Sequence, residues 1–501
     1  MSDGAEQDRP IPQGASALWR SVARGARDTL VGEVSAQGLR VGGTIVLAHK
    51  LAPANFGLLR ELVVVAMFTT MFSESGIPDA VIQRRDLTPE HESTAWWLSL
   101  GTVSLAVGSL YCAAPLIARL MALPVLAPAT RLLCLPLFLE GTAIIPVARL
   151  ARNLHFRALA AADVLAELAF LTAAFALLWR GQGEWSLPAG VAARLATHAT
   201  VVWIADHRIP LGRPRWRAAR DIGRFALTVL SGRIVTVASA NADFILVGRL
   251  LGATMLGYYS IARDLLRFVP DRIHRIVGRV ALPAFCRMRE DDRELGEAYC
   301  NFLQYLARIV LPVAAVVAIA APRVLTTLYG NKWLPAAVPM RLLACGLALM
   351  ALRMATTSVY YAKNYPSMDL LLNGTRLILV VAGIAATARF GLVGVSASVG
   401  AVEGIISLAG QYAVCLITGL HFSKALSAIV PSLNVTAACG LAALLGDAIA
   451  VIAGLHGLPA MACLALATGI AFLWLEGAQL KEMFANTFAP VGVHSLETPI
   501  D

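Results

Sequence analysis

At 501 residues, 57% hydrophobic and 15% charged, with a mean hydropathy of +0.67, this chain carries more apolar surface than a soluble fold of its length can hide. Recurring apolar runs of about twenty residues read instead as an all-α polytopic membrane protein. The formal charge of +10 is what basic loops on one side of a membrane would give, and it supplies no reason to invoke nucleic acid.

Residues 1–27 form a polar arm without the short apolar core and cleavage site of a signal peptide. Within it Leu18, Trp19 and Val22 lie among Arg20, Arg24 and Arg27, which suits a short interfacial helix. Spanning helices are predicted near 28–49, 57–76, 94–118, 128–149, 157–179, 186–205, 222–250, 256–280, 298–320, 334–361, 367–388, 392–418, 426–453 and 457–478, about fourteen in all. The loops on the N-terminal side carry Arg84-Arg85, Arg149, Arg152 and the basic stretch Asp206–Arg220, whereas the opposite loops are short and poor in Lys and Arg. Both termini are therefore expected in the cytoplasm. The eight cysteines are scattered without CxxC or zinc spacing and read as reduced packing residues.

The chain repeats itself. Residues 45–57 (IVLAHKLAPANFG) align with 245–257 (ILVGRLLGATMLG) at an offset of 200. Ala114-Pro115 then matches Ala321-Pro322, Arg131–Leu133 matches Arg341–Leu343, and Arg152-Asn153 matches Lys363-Asn364. Six helices per copy is an even number, so the copies share one topology and relate by an axis along the membrane normal. The expected organisation is a six-helix N-lobe at 28–205, a basic linker at 206–221, a six-helix C-lobe at 222–418, and two appended helices with a cytoplasmic tail at 419–501.

Polar residues at helical spacing mark the functional candidates. Glu33, Gln37, Arg40 and Thr44 share one face of the first helix. Thr228, Gly232, Thr236, Ser239 and Asp243 share a face of the seventh, with Arg233 beside them, and Arg263, Arg267, Asp271 and Arg275 follow in the eighth, which Pro270 is expected to kink. Such stripes are costly against lipid and should line a cavity. Arg40, Arg233, Arg263 and Arg267, with Gln37 and Asn241, are the candidate anion-binding set, because guanidinium stays charged and grips phosphate oxygens in pairs. The plainer alternative is local pairing, such as Arg267 with Asp271, and snorkelling of Arg272, Arg275 and Arg279.

Glu140, Asp163, Glu167 and Glu403 are carboxylates in apolar segments. They either bind a coupling ion, H+ or Na+, or pair with Arg194, Arg308, Arg353 or Arg376, and pairing is the preferred reading. His198 reads as a packed core residue. Glu33 and Arg233 occupy equivalent repeat positions with opposite charge, so they and Asp243 are gating candidates; the competing reading pairs each within its own lobe. No GxxxxGK[ST], HExxH or GxSxG occurs, so neither an enzyme nor a bound cofactor or metal is expected.

With these residues placed, the stretches Leu51–Gly57, Ser75–Arg84, Asn241–Arg249, Leu251–Tyr259 and Leu328–Ala336 resemble the Wzx-type oligosaccharide flippases. These belong to the polysaccharide branch of the MOP superfamily, related to lipid II flippases and MATE transporters. The resemblance covers about residues 15–420; the last two helices match only in hydrophobicity. It implies alternating access by two lobes, moving an undecaprenyl-diphosphate-linked oligosaccharide across the bacterial plasma membrane for exopolysaccharide, capsule or lipopolysaccharide. Membrane lipids, a polymerase and a co-polymerase are the further partners it implies. A MATE-type antiporter of cationic drugs is the alternative, against which the arginine face argues. A membrane-embedded polymerase or ligase would need a sizeable outer loop, and a non-transporting scaffold would need no charged stripes.

Overall fold

A computed structural model describes residues 15–73, 77, 88–208, 212 and 214–488. The Ser75–Arg84 motif, apart from Ile77, falls outside the described residues, as do the side chains of Arg20, Arg24, Thr228, Gly232, Pro270, Asp271, Arg272, His274, Arg275 and Arg279. Among the described residues all regular structure is helical, and eleven stretches are long and apolar enough to cross a membrane. Three of them, Leu126–Arg152, Arg233–Arg267 and Pro366–Thr418, run through a break and hold two helical limbs each. The first helix is not among the eleven, because Arg27, Asp28, Glu33, Arg40 and Lys50 lower its hydropathy. Fourteen crossings remain a reading of the sequence.

The chain divides into two compact units, 1–261 with 373–395 and 262–372 with 396–501. In the first, α1 (Ala15–Lys50) is one continuous helix, so the expected interfacial helix is the start of the same rod. α2 (Pro53–Ser73) and α3 (Pro89–Leu120) both begin on proline, whose missing N–H is harmless at a helix start. α4 (Leu126–Thr142) and α5 (Ile144–Arg152) are one apolar stretch interrupted at Ala143, and α6 (Phe156–Trp179) and α7 (Gly183–Ala205) follow. Leu58 and Leu62 of α2 join Val103, Leu126, Leu133 and Val191 in the core of this unit. α1 lies against α6, where Gly32 meets Ala160 and Gly43 meets Leu171 with no room for a side chain.

α8 (Trp216–Arg287) is 72 residues long. That would measure about 108 Å if straight, far beyond a bilayer. Gly252, at φ 84° and ψ 170°, breaks it into two limbs, in a conformation open to glycine and costly for other residues. The break expected between the helices near 222–250 and 256–280 is thus a single residue, with helix resuming at once.

The second unit takes the end of α8, then α9 (Asp292–Tyr329), a 3-10 turn over Asn331–Ala336, α10 (Ala337–Ala362), the start of α11 (Pro366–Thr387), most of α12 (Gly391–Thr418), α13 (Phe422–Ile452) and α14 (Leu458–Phe488). Asp291 caps α9 by accepting from the N–H groups of Arg293 at 2.8 Å and Glu294 at 3.0 Å. α10 and α12 are stitched by Ser407 Oγ donating to Leu349 O and Tyr360 Oη donating to Gly410 O, each at 2.6 Å. α13 packs on α9, and α14 on α13. Arg308 of α9 meets Glu476 of α14 at 3.6 Å, both largely buried.

These units cut across the lobes read from the repeat. The reason is visible in the first limb of α8, which closes onto α2, and in Arg376 of α11, whose Nη1 donates to Ser239 Oγ at 2.9 Å and to the Ser239 carbonyl.

Candidate functional site

The polar stripe on α1 borders its packing face. Arg40 stands ten residues before the end of α1, about 15 Å along the helix, and reaches across to α6. Its Nε lies 2.8 Å from Glu167 Oε1, and its Nη2 bonds the same oxygen. Glu167 is 2% exposed, and Arg194 of α7 approaches that same Oε1 at 3.5 Å. One turn along α7, His198 sets Nδ1 2.8 Å from Glu140 Oε1 and Nε2 3.8 Å from Asp163 Oδ1. A buried carboxylate shared by two guanidiniums fixes three helices against one another. The Arg40 side chain nevertheless remains 50% exposed.

The other candidates are not all gathered here. Glu33, Gln37 and Thr44 share the half-buried stripe with Arg40, and Arg233 and Arg267 are half-buried on α8. Arg263 is fully buried. Asn241 turns its amide back to Val237 O at 2.9 Å, so that donor is taken by its own helix. Asp243 is fully buried and accepts the Tyr259 hydroxyl at 2.5 Å. Glu403 is buried in α12. Of the arginine partners weighed for the carboxylates, Arg194 does pair with Glu167, whereas Arg308 takes Glu476 and Arg376 takes Ser239. His198, read as a packed core residue, also meets Glu140 at 2.8 Å. Partners from different helices leave no local trace in sequence.

A second feature escaped sequence reasoning. Where α2 crosses the two limbs of α8, a Cβ on Gly57 would lie 1.9 Å from Ala253 O, and one on Gly257 would lie 2.0 Å from Pro53 O. Gly57 and Gly257, like Pro53 and Ala253, are equivalent positions of the repeat. The two contacts are therefore reciprocal, as at a two-fold axis. Beside them Arg60 sets its guanidinium 4.4 Å over the Phe244 ring, and Phe244 meets Tyr259 edge-on at 5.6 Å. Glu61, 5% exposed, rests on Gly248. The signal was available: Glu61 is an acid inside an apolar run, four residues after Gly57 and so on the same helical face.

In the second unit an apolar groove of 380 Å³ runs between α9, α13 and α14, lined by Pro312, Val316, Leu464 and Phe472 among others, with Arg323 as its charged member. Arg323 Nε is held 2.6 Å from Asp447 Oδ1.

Apolar spans, intramembrane charges and the helical arrangement define the class, a multi-pass membrane protein with the MOP-type transporter fold. The lipid II flippase MurJ in its inward closed conformation matches 90% of this chain and 99% of its own with a TM-score of 0.71, at 11% identity, a likeness of fold. The family follows from sequence: the model described as polysaccharide biosynthesis protein matches residues 46–338, more than half of the chain, and the chain belongs to that family. It is 25% identical to the teichuronic acid biosynthesis protein TuaB of Bacillus subtilis over 85% of this chain and 89% of the relative. It is 23% identical to the lipopolysaccharide biosynthesis protein WzxC of Escherichia coli over 66% and 68%. The Wzx-type resemblance read from the motifs stands.

Proposed function

We propose that this protein is a flippase, not an enzyme, and that it moves a lipid-diphosphate-linked oligosaccharide from the inner to the outer leaflet of the bacterial plasma membrane by alternating access. Both termini lie in the cytoplasm, and undecaprenyl is the lipid. The observation that carries the reading is Arg40, an arginine whose side chain is half exposed within a helix of a bundle whose relatives serve polysaccharide synthesis. Arg233, Arg263 and Arg267 add cationic character on α8, suited to a diphosphate. The groove between α9, α13 and α14 has the apolar lining that an isoprenoid tail requires. Arginine argues against a cationic drug as cargo. No ion is assigned to Glu33, Glu140, Asp163 or Asp243 here, and Glu167 serves Arg40 and Arg194. The polymerase and co-polymerase are partners at the membrane.

The test is translocation of a fluorescent lipid-diphosphate oligosaccharide by the full chain in liposomes, read by a lectin that cannot cross the membrane. Translocation well above empty liposomes is expected, falling about tenfold or more for Arg40→Ala, with partial recovery in Arg40→Lys. Liposomes with and without the protein behaving alike would overturn the proposal.

A further inference from the structure

Glu61 lies eight residues after the start of α2, about 12 Å along the helix, inside the stretch Pro53–Met71 that is apolar enough to cross a membrane. It is 5% exposed, and its Oε2 has no hydrogen-bond partner among the described residues. Its Oε1 presses on the first limb of α8, where a Cβ on Gly248 would lie 2.4 Å away. One turn toward the start of α2, on the same face, is the Gly57–Ala253 contact with its reciprocal at Gly257 and Pro53. The carboxyl therefore sits one turn inside the glycine contact that closes α2 onto α8.

Several charges on the elements around it are engaged with other groups or exposed. Arg60 of α2 lies over Phe244, Asp243 of α8 takes the Tyr259 hydroxyl, and Arg249 is exposed. α2 also packs on α3, α4 and α7. There Arg119 is exposed, Arg131 lies over Tyr111, and Arg194 and His198 are held by Glu167 and Glu140. Among the described residues none of these forms an ion pair with Glu61.

We propose that Glu61 is a proton-binding site and that the α2–α8 crossing is a gate that closes only on the protonated acid. An ionised carboxylate without a cation or donor is costly in a membrane interior, and it escapes that cost by taking a proton. With α2 apart from α8, water reaches the group and the cost of ionising it falls. Closing therefore takes up one proton, from the outer side in the orientation proposed above. Packing does not require the acid. In the other half of the repeat the positions equivalent to Glu61 and Gly248 are Ile261 and Ala48, both buried and apolar. Only the word gate rests on the alternating-access reading.

The test places spin labels at Ala52→Cys and Thr254→Cys, both exposed, after Cys112, Cys286, Cys345 and Cys463 are replaced by serine. The full chain sits in nanodiscs of phosphatidylethanolamine and phosphatidylglycerol, without sugar lipid, and the label–label distance is recorded from pH 5 to 8.5. The ratio of short to long distances should rise as pH falls, by up to about tenfold per pH unit for one linked proton. Glu61→Gln, and Glu61→Met as a second apolar substitute, should hold the short distance at every pH. Gly248→Ala, whose methyl meets the carboxyl, should favour the long one. A wild type indifferent to pH, or a Glu61→Gln variant that follows pH as the wild type does, overturns the proposal. Because no sugar lipid is present, failed translocation with an intact pH response would refute the function and leave the gate standing.

Discussion

The sharpest test of the charge cluster separates what Arg40 does for the fold from what it does for an anion. Glu167 accepts from Arg40 at 2.8 Å and lies 3.5 Å from Arg194. At a charge separation of about 4 Å and an effective dielectric near 20, each attraction is worth roughly 4 kcal/mol before desolvation is subtracted. Glu167→Gln leaves two guanidiniums without their counter-charge and should cost about 3 kcal/mol, at the lower edge of what breaking a buried pair costs. Arg40→Ala should cost less, about 1 kcal/mol, because half of the Arg40 side chain is exposed and screened, and Arg194 remains to serve Glu167. The double variant should be more stable than the sum of the singles, with a coupling of about 1 kcal/mol. Thermal unfolding of the purified proteins in detergent measures all three. Arg40→Lys should unfold near the wild-type temperature yet translocate more slowly, since charge survives and the paired donors do not. If Glu167→Gln unfolds with the wild type, the cluster does not hold α1, α6 and α7 together and the reasoning is wrong.

Two further outcomes are expected. A cysteine at Thr254 should be labelled by an impermeant maleimide from outside the cell, and one at Arg215 only after the inner face is opened; the reverse pattern would invert the orientation. Glu33→Arg and Arg233→Glu should each lower glycan export, and the double exchange should restore much of it if the two charges meet across the cavity mouth. A double variant no better than the worse single one would remove that pair as a gate.

The helices were legible because their signal is local: long apolar runs, prolines at helix starts, and a glycine at the one break in α8. The repeat was legible too, since 45–57 and 245–257 keep the same spacing of apolar and small residues. Partnership was not. Arg40 and Glu167 are 127 positions apart, and Arg308 meets Glu476 across most of the second half of the chain. A stripe at helical spacing says that Arg40 and Glu33 share a face, but the neighbouring helix decides which partner each of them meets. The partners of His198, Glu140 and Asp163, likewise come from two other helices. Glu61 directly follows Arg60, and adjacency alone does not say where either side chain goes. In a helix those two point about 100° apart, and the structure sends Arg60 to an aromatic ring and Glu61 to a glycine.

The same crossing shows how symmetry and chemistry divide the work. Gly57 meets the backbone at Ala253, and Gly257 meets it at Pro53, so each half of the repeat offers the other an identical bare surface. Identical surfaces suffice for close approach, and they explain why the glycines recur at the 200-residue offset. They carry no direction. Direction enters where equivalents differ: Arg60 faces the ring of Phe244 while its counterpart is Ser260, and Glu61 lies on Gly248 while the counterpart positions are Ile261 and Ala48. A symmetric contact opens and closes by geometry alone, whereas one with a single acid on one side closes at a rate and with an equilibrium that follow the proton. The departure from the repeat, rather than the repeat itself, is therefore where a driving force can act on this gate.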